Sequence, residues 1–160
     1  MIRIGHGFDI HRLTPNEEGG IVLAGVWIPW DKSFVAHSDG DVVYHAITDA
    51  ILGALALGDI GQWFPDTDPQ YKGVSSDVFL REVFLKAKQA GFKLGNVDVT
   101  IIAERPKLSP HIQGMRDNLS PLLEASSDQI SIKAKTHEKC DALGKQEAIA
   151  AHVVIVLLPT

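Results

Sequence analysis

The sequence has 160 residues, of which 45% are hydrophobic and 22% charged, a composition that predicts one folded domain over residues 1–160 and excludes an intrinsically disordered chain. Its formal net charge of −5 leaves no broad positive field for gripping a polyanion, which argues against nucleic acid as a partner. The longest apolar runs fall short of the roughly 20 residues of a membrane helix, and no apolar secretory signal opens the sequence. We therefore expect a cytoplasmic protein with no membrane partner.

The first part of the sequence predicts a β-hairpin. Residues 3–13 mix apolar, aromatic and β-branched side chains without helical spacing, and residues 14–20 are rich in turn-forming types. The return strand is predicted over residues 21–24, with a continuation through 26–28 before Pro29 removes a backbone donor.

A long helix is predicted over residues 38–57. Ser38 is the expected N-cap, because a carboxylate follows three residues later at Asp41 and the two can satisfy free backbone N–H groups. Apolar residues cover most of this helix, which predicts burial on most sides. A narrow polar stripe remains at Asp41, His45 and Asp49, spaced four residues apart on one face.

The remaining elements are predicted from periodicity and turn residues. Residues 58–69 contain two prolines and three carboxylates, which favours an irregular functional loop. Helices are predicted over 76–89, closed by Gly91, and over 110–125; strands are predicted over 97–103, 130–134 and 148–158, the last apolar enough to be covered on both sides. The order of elements predicts an α/β (α+β) sandwich, with a single mixed sheet and helices packed on one face.

Three side chains form a candidate metal site. Asp9 and His11 are two apart on an extended segment, so both leave the same face of the strand. His45 supplies a third ligand if its helix packs across that strand, and two imidazoles with one carboxylate match a catalytic zinc site that keeps a position open. The alternative is that His45 is a core histidine bonded to Asp41 or Asp49, and that Asp9 and His11 are a surface pair.

Other polar groups have two interpretations each. His37 and Ser38 lie at a helix start, where backbone donors and the helix dipole favour a phosphate, but simple capping explains the same residues. Lys107 and the pair Lys133 and Lys135 are either ligand-binding or solvated surface charges. No pattern of a serine hydrolase, a phosphate-binding P-loop or a zinc protease occurs.

Five segments of the sequence form a recognisable set. They are Gly5-His6-Gly7-Phe8-Asp9-Ile10-His11, Ala36-His37-Ser38-Asp39-Gly40-Asp41-Val42 with His45-Ala46, Leu57-Gly58-Asp59-Ile60-Gly61, Phe64-Pro65-Asp66-Thr67-Asp68 and Pro106-Lys107-Leu108. Taken together, they resemble one enzyme family, the 2-C-methyl-D-erythritol 2,4-cyclodiphosphate synthases of the non-mevalonate isoprenoid pathway. The likeness extends over essentially the whole chain and keeps the segments in order.

The resemblance implies a homotrimer with active sites at the subunit interfaces. The implied substrate is 4-diphosphocytidyl-2-C-methyl-D-erythritol 2-phosphate, which is cyclised with release of CMP, so CDP is also an expected ligand. The implied metals are one Zn²⁺ per subunit on Asp9, His11 and His45, and Mg²⁺ or Mn²⁺ on Glu138. Catalytic roles fall to His37 and Thr136, which with Ser38 contact the phosphates.

The implied substrate contacts form four groups along the sequence. The first is Asp9, His11, His37 and Ser38. The methylerythritol unit is surrounded by Asp59, Ile60, Gly61, Phe64, Pro65, Asp66, Thr67 and Asp68, the cytidine pocket is formed by Ala103, Pro106, Lys107 and Leu108, and the last group is Lys135, Thr136, His137, Glu138, Ala142 and Lys145.

One segment departs from the family pattern. Many members have Phe and Arg where this chain has Ala142 and Lys145. An ammonium cannot bind a diphosphate with two parallel hydrogen bonds as a guanidinium does, so we expect isoprenoid diphosphates to bind poorly in the trimer's central channel. Two other functions stay open at this point: a zinc-dependent phosphoesterase acting on a related phosphorylated substrate, and a metal-dependent ligand-binding trimer without catalysis.

Overall fold

The computed structural model describes all residues, 1–160, and contains seven strands and five α-helices. None of these helices has the length and apolar character needed to cross a membrane. The strands are β1 Arg3–Pro15, β2 Gly20–Leu23, β3 Val26–Pro29, β4 Lys32–Phe34, β5 Phe92–Ile102, β6 Ile130–Lys135 and β7 Ala148–Pro159; the helices are α1 Val42–Leu55, α2 Ile60–Trp63, α3 Asp77–Gln89, α4 Ile112–Leu122 and α5 Asp141–Gly144.

A five-stranded mixed sheet forms the frame, in the order β4-β1-β7-β5-β6. β7 is antiparallel to β1 on one side and to β5 on the other, while β6 runs parallel to β5. Helices α1 and α3 lie on one face, with α1 packed on β1 and β7. The predicted mixed sheet with helices on one face is therefore confirmed.

The predicted hairpin between residues 3–13 and 21–24 is wrong, and so is the single sheet. β1 pairs with β7 and β4, whereas β2 pairs with β3 in a separate two-stranded sheet. The reason is the two-residue turn at Ala24 and Gly25, whose φ values of 45° and 73° are those that close a tight hairpin. β2 finds its partner locally, and β1 finds a longer partner far along the chain.

Helix α1 begins at Val42, so the prediction of Ser38 as its N-cap is also wrong. Asp41 is the N-cap, and its side chain accepts hydrogen bonds from the backbone N–H groups of Val43 and Tyr44. The same carboxylate accepts from Ala24 and Gly25 at 2.9 and 2.8 Å. One buried side chain thus ends the β2–β3 turn and starts α1.

The contact between α1 and β1 requires two glycines. A Cβ atom at Gly7 would lie 1.8 Å from the carbonyl oxygen of Ala46, and one at Gly5 would lie 1.8 Å from that of Ala50. Only glycine permits so close an approach of the backbones. Consequently the α1 backbone lies directly against the strand that carries Asp9.

Several boundaries differ from the sequence prediction. The predicted irregular segment 58–69 contains α2, which Asp59 caps, and the unpredicted α5 follows β6. β5 starts at Phe92, ahead of the predicted 97, because its first residues pair with the end of β7. β7 is buried on its helix side, but His152 and Val154 on the other face are exposed in the single chain, so the predicted two-sided cover is not seen there.

Candidate active site

The three predicted metal ligands converge on one point. Asp9 Oδ2 lies 3.0 Å from His11 Nδ1 and 2.9 Å from His45 Nδ1. Asp9 and His11 come from the α1-facing side of β1, and His45 comes from the first turns of α1 above it. The ligand atoms of all three lie within 4.8 Å of one another. The spacing argument is confirmed, and the His45 side chain bonds neither Asp41 nor Asp49.

The electrostatics of this triad suit a cation. Burial alone would raise the pKa of Asp9, but the adjacent His11 and His45 imidazoles lower that pKa to about 2. Asp9 is therefore a carboxylate at physiological pH. His11 Nδ1 is buried and makes no hydrogen bond within the chain, although it lies close to Asp9. A buried nitrogen without a hydrogen bond, beside a second imidazole and an anionic oxygen, fits a zinc ion.

The triad lies in a cavity of about 440 Å³, which we call the triad cleft. His37 and Ser38 border it from the segment before α1, and the predicted contacts Ile60, Gly61, Phe64 and Asp66 border it from the segment around α2. Asp49 of α1 accepts a hydrogen bond from Ile60 N at 2.7 Å, which fixes the start of that segment. Burial raises the pKa of Asp49 despite this bond.

Four other predicted contacts of this segment do not line the cleft. Asp59 caps α2 by accepting from Gln62 N at 3.0 Å, and Asp68 accepts from Gln70 N at 3.0 Å. The Asp68 carbonyl also accepts a hydrogen bond from His37 Nε2 at 3.2 Å. Pro65 and Thr67 lie between these turns and outside the cavity wall. The backbone carbonyl of Asp68 in this segment thus fixes the position of the His37 ring.

A second cavity of about 690 Å³ collects the predicted contacts from the other half of the chain, and we call it the lysine cleft. It lies where β5 and β6 end. Its basic side chains are Arg105, Lys107, Lys135, Lys139 and Lys145, and the predicted residues Ala103, Pro106, Leu108 and Thr136 line it as well. No residue lines both clefts.

The segment that follows β6 is exposed and held by few contacts. Thr136 Oγ1 donates to Glu138 Oε1 at 3.1 Å, and Glu138 has a left-handed φ of 51°. His137 Nδ1 lies 3.0 Å from Asp141 Oδ1, which raises the pKa of His137. Ala142 is exposed, and His137, Glu138 and Ala142 do not line the lysine cleft.

Two residues beside the triad were missed by the sequence analysis. Ser76 Oγ lies 2.7 Å from His45 Nε2, and Asp39 accepts hydrogen bonds from both the hydroxyl and the backbone N–H of Ser76. Ser76 stands 31 residues beyond His45, and only the packing of α3 against α1 brings them together. No local pattern could have revealed this contact.

On the sheet face opposite the helices, the part formed by β1 and β7 is largely apolar and is uncovered in the single chain. Ile4, Phe8 and Ile10 of β1 and Val154 of β7 point outward with 69%, 44%, 44% and 44% of their surface exposed. The imidazoles of His6 and His152 meet among them at 3.3 Å. A contiguous apolar face of this kind is typical of a surface that another chain covers.

Comparison with known proteins gives one consistent answer. A model of the YgbB family matches residues 2–158. The chain is 53% identical to the chloroplastic 2-C-methyl-D-erythritol 2,4-cyclodiphosphate synthase of Arabidopsis thaliana over 98% of this chain and 67% of that protein. It is 55% identical to the synthase of Shewanella putrefaciens over 98% of this chain and 96% of the bacterial protein. The structure of IspF from Plasmodium falciparum in complex with CDP superposes with a TM-score of 0.87 at 41% identity, over 99% of this chain and 97% of that one.

Proposed function

The chain belongs to the YgbB family, and from that premise we propose that it is a 2-C-methyl-D-erythritol 2,4-cyclodiphosphate synthase acting as one domain over residues 1–160. Its reaction converts 4-diphosphocytidyl-2-C-methyl-D-erythritol 2-phosphate into the cyclic diphosphate and CMP. The observation that carries the proposal is the convergence of Asp9, His11 and His45 in a cleft of ligand size, as the family resemblance requires.

The reaction needs no protein nucleophile. An oxygen of the substrate's own 2-phosphate attacks the β-phosphorus, and the bond from that phosphorus to the oxygen bridging it to CMP breaks. CMP leaves with the electron pair, and an eight-membered ring closes. The protein must therefore fold a flexible, highly charged chain so that the attacking oxygen and the leaving group are in line, and it must neutralise charge.

Zinc is the cation we assign to the triad of Asp9, His11 and His45. Bound there, it supplies Lewis-acid polarisation of a phosphate oxygen. His37 and Ser38 lie on the wall of the same cleft, where they contact the phosphates of the substrate. The His37 ring is held through Nε2 by the Asp68 carbonyl, so its other nitrogen remains for the ligand.

The lysine cleft is the proposed site for the cytidine diphosphate part of the substrate. Ala103, Pro106, Lys107 and Leu108 form its wall after β5, and Thr136 stands opposite at the end of β6. The Thr136 hydroxyl is the second catalytic group of the proposal. Glu138, to which Thr136 donates, is the residue that would hold Mg²⁺ or Mn²⁺, and the ion would neutralise charge on the diphosphate.

We propose that the active protein is a homotrimer with sites between subunits. Two features support this: the predicted contacts that line a cavity divide between two clefts that share no residue, and the outward face of β1 and β7 is largely apolar. Pairing the triad cleft of one subunit with the lysine cleft of the next assembles a complete site. The exposed, unpaired Cys140 agrees with a reducing cytoplasm as the compartment.

We also propose that isoprenoid diphosphates bind weakly in the central channel of the trimer. Ala142 is exposed and offers no aromatic wall, and Lys145 carries a single ammonium where many family members have a guanidinium. The neighbouring Leu143 does not replace the missing ring, because it packs against Ala148 and Ala150 of its own chain.

Phosphorus NMR of the purified protein with its substrate tests the function. Synthase activity gives two mutually coupled ring phosphates together with CMP. Inorganic phosphate in their place would identify a phosphoesterase, and an unchanged spectrum in the presence of Zn²⁺ and Mg²⁺ would identify a binding protein; either result overturns the proposal. The matched control is the protein treated with a zinc chelator, which should form no cyclic product.

A further inference from the structure

Behind the triad, a series of hydrogen bonds leads from His45 through Ser76 to the carboxylate of Asp39, which is not a member of the triad. Ser76 is fully buried, and its Oγ lies 2.7 Å from His45 Nε2. The Ser76 hydroxyl also contacts Asp39 Oδ1, and its backbone N–H donates to Asp39 Oδ2 at 3.0 Å. Asp39 itself is fixed because Asp41 N donates to it at 3.1 Å.

The chemical groups present decide which atom donates in each of these hydrogen bonds. A hydroxyl has one proton to donate. If Ser76 donated it to His45, the Ser76 and Asp39 oxygens would face each other as two acceptors at hydrogen-bonding distance. Ser76 must therefore donate to Asp39 and accept from His45, so the His45 ring carries its proton on Nε2.

With Nε2 donating to Ser76, Nδ1 is the ring nitrogen that can ligate a cation, and it lies 2.9 Å from Asp9 Oδ2. A lone pair and a carboxylate oxygen at that separation are two electron-pair donors for one cation. In metalloproteins the partner of the second ring nitrogen commonly sets the tautomer and the ring orientation of a ligating histidine.

The Ser76 hydroxyl does not cap its own helix. Ser76 occupies the N-cap position of α3, where a serine usually accepts a hydrogen bond from the helix backbone, but its side chain makes no such bond. A second serine beside it, Ser75, bonds Asp77 of the same helix instead. The hydroxyl of Ser76 is committed to His45 and Asp39.

We propose that Ser76 and Asp39 are positioning residues that hold His45 in the Nε2-protonated form, so that Nδ1 is presented to zinc. The inference rests on the proposed metal site and adds two residues to it. It also frees Ser38: because the His45 proton goes to Ser76, the Ser38 hydroxyl, 3.2 Å from the same nitrogen, keeps its own proton for a phosphate oxygen in the cleft.

The test compares Ser76→Ala and Asp39→Asn with the wild type and with Ser75→Ala as the matched control. Zinc affinity is measured by competition with a chromophoric chelator. The His45 tautomer is read from two-bond ¹H–¹⁵N spectra of metal-free protein that also carries Asp9→Ala, which removes the carboxylate beside Nδ1. We expect Ser76→Ala to weaken zinc binding about 10- to 100-fold and to abolish the preference for Nε2–H, and Ser75→Ala to change neither.

Wild-type zinc affinity in Ser76→Ala, or an unchanged His45 tautomer, overturns the inference. If Ser76→Ala does not fold, Asp39→Asn decides by the same two measurements, with weaker zinc binding and a mixed tautomer expected. Failure of the wild type to bind zinc refutes the proposed metal site, whereas the tautomer measurement, made without metal, still decides whether Ser76 and Asp39 set the His45 ring.

Discussion

In the triad cleft the functional side chains project from α1, most of whose residues are buried, and from the face of β1 that packs against α1, and His45 is itself only 8% exposed. In the lysine cleft they project from the segments after β5 and β6, and Lys107, Thr136 and Glu138 are all exposed. The triad is held by hydrogen bonds to Ser38 and Ser76, whereas Lys107 makes no hydrogen bond within the chain.

The difference separates two kinds of binding. A metal ion needs ligands fixed to within a fraction of an ångström, and rigid packed elements provide that. A flexible nucleotide needs charge and shape that adjust to it, and loops at the end of a sheet provide those. Substitutions near the triad should therefore alter folding or metal content, and substitutions in the lysine cleft should alter ligand affinity alone.

The largest effect is expected from Gly7→Ala. Its Cβ would overlap the Ala46 carbonyl, so α1 would have to move away from the strand that carries Asp9. We expect the loss of more than about 4 kcal/mol of folding free energy, measured by urea unfolding or seen as insoluble protein. Gly53→Ala on α1 is the control, because nothing lies closer than 3.8 Å to its Cβ and helix propensity improves by about 0.5–1 kcal/mol. Equal stability of both variants would show that the α1–β1 contact is looser than described.

His45→Ala should remove most of the bound zinc and slow CMP release at least about 100-fold, since a metal acting as a Lewis acid is worth several kcal/mol. The proposed trimer should still assemble, because His45 faces the cleft and not the outward sheet face. Metal analysis and size-exclusion chromatography measure the two outcomes. His111→Ala, outside both clefts, should change neither, and full zinc content in His45→Ala would refute the ligand assignment.

The buried carboxyl of Asp41 should make the folding stability depend on pH. Burial raises its pKa to about 6, although backbone N–H groups of Gly25, Tyr44 and Ala24 act in the opposite direction. The folded protein therefore holds this proton more tightly than the unfolded chain. The resulting stabilisation is complete below about pH 4 and is lost as the pH rises through about 6, an effect of roughly 3 kcal/mol.

Urea unfolding with a metal chelator present measures this dependence at pH 4 and pH 7. The free energy of unfolding of the wild type should fall between these values relative to that of Asp41→Asn, which has no proton to lose. Parallel pH profiles for the two proteins would show that the Asp41 carboxyl keeps an ordinary pKa.

Lys107→Ala has the smallest expected effect. The side chain is exposed at the wall of the lysine cleft, so the fold should not depend on it. Loss of one charge-assisted hydrogen bond should weaken CDP binding about tenfold, measured by calorimetry, with the melting temperature unchanged. Lys72→Ala, an exposed lysine outside both clefts, should bind CDP like the wild type. A lower melting temperature with normal CDP affinity would assign Lys107 to the fold.

Local patterns predicted the parts of the molecule that depend on local geometry. Alternation placed Asp9 and His11 on one strand face, and the broad apolar surface of residues 38–57 predicted a buried helix in the right place. The predicted hairpin failed because the partner of β1 lies at the far end of the sequence. The roles of Gly5, Gly7 and Ser76 were equally invisible, since each depends on an element that packs against it from elsewhere in the chain.

The strand order β4-β1-β7-β5-β6 also has a consequence for the time course of folding. Arg3 pairs with Leu157, and β7 is the common neighbour of β1 and β5, so the sheet cannot close until β7 leaves the ribosome. Contacts of such large sequence separation close slowly, because the entropy of a long loop must be lost first. Asp9 and His11 lie on β1, and we therefore expect the nascent chain to acquire a competent zinc site only in its final folding step.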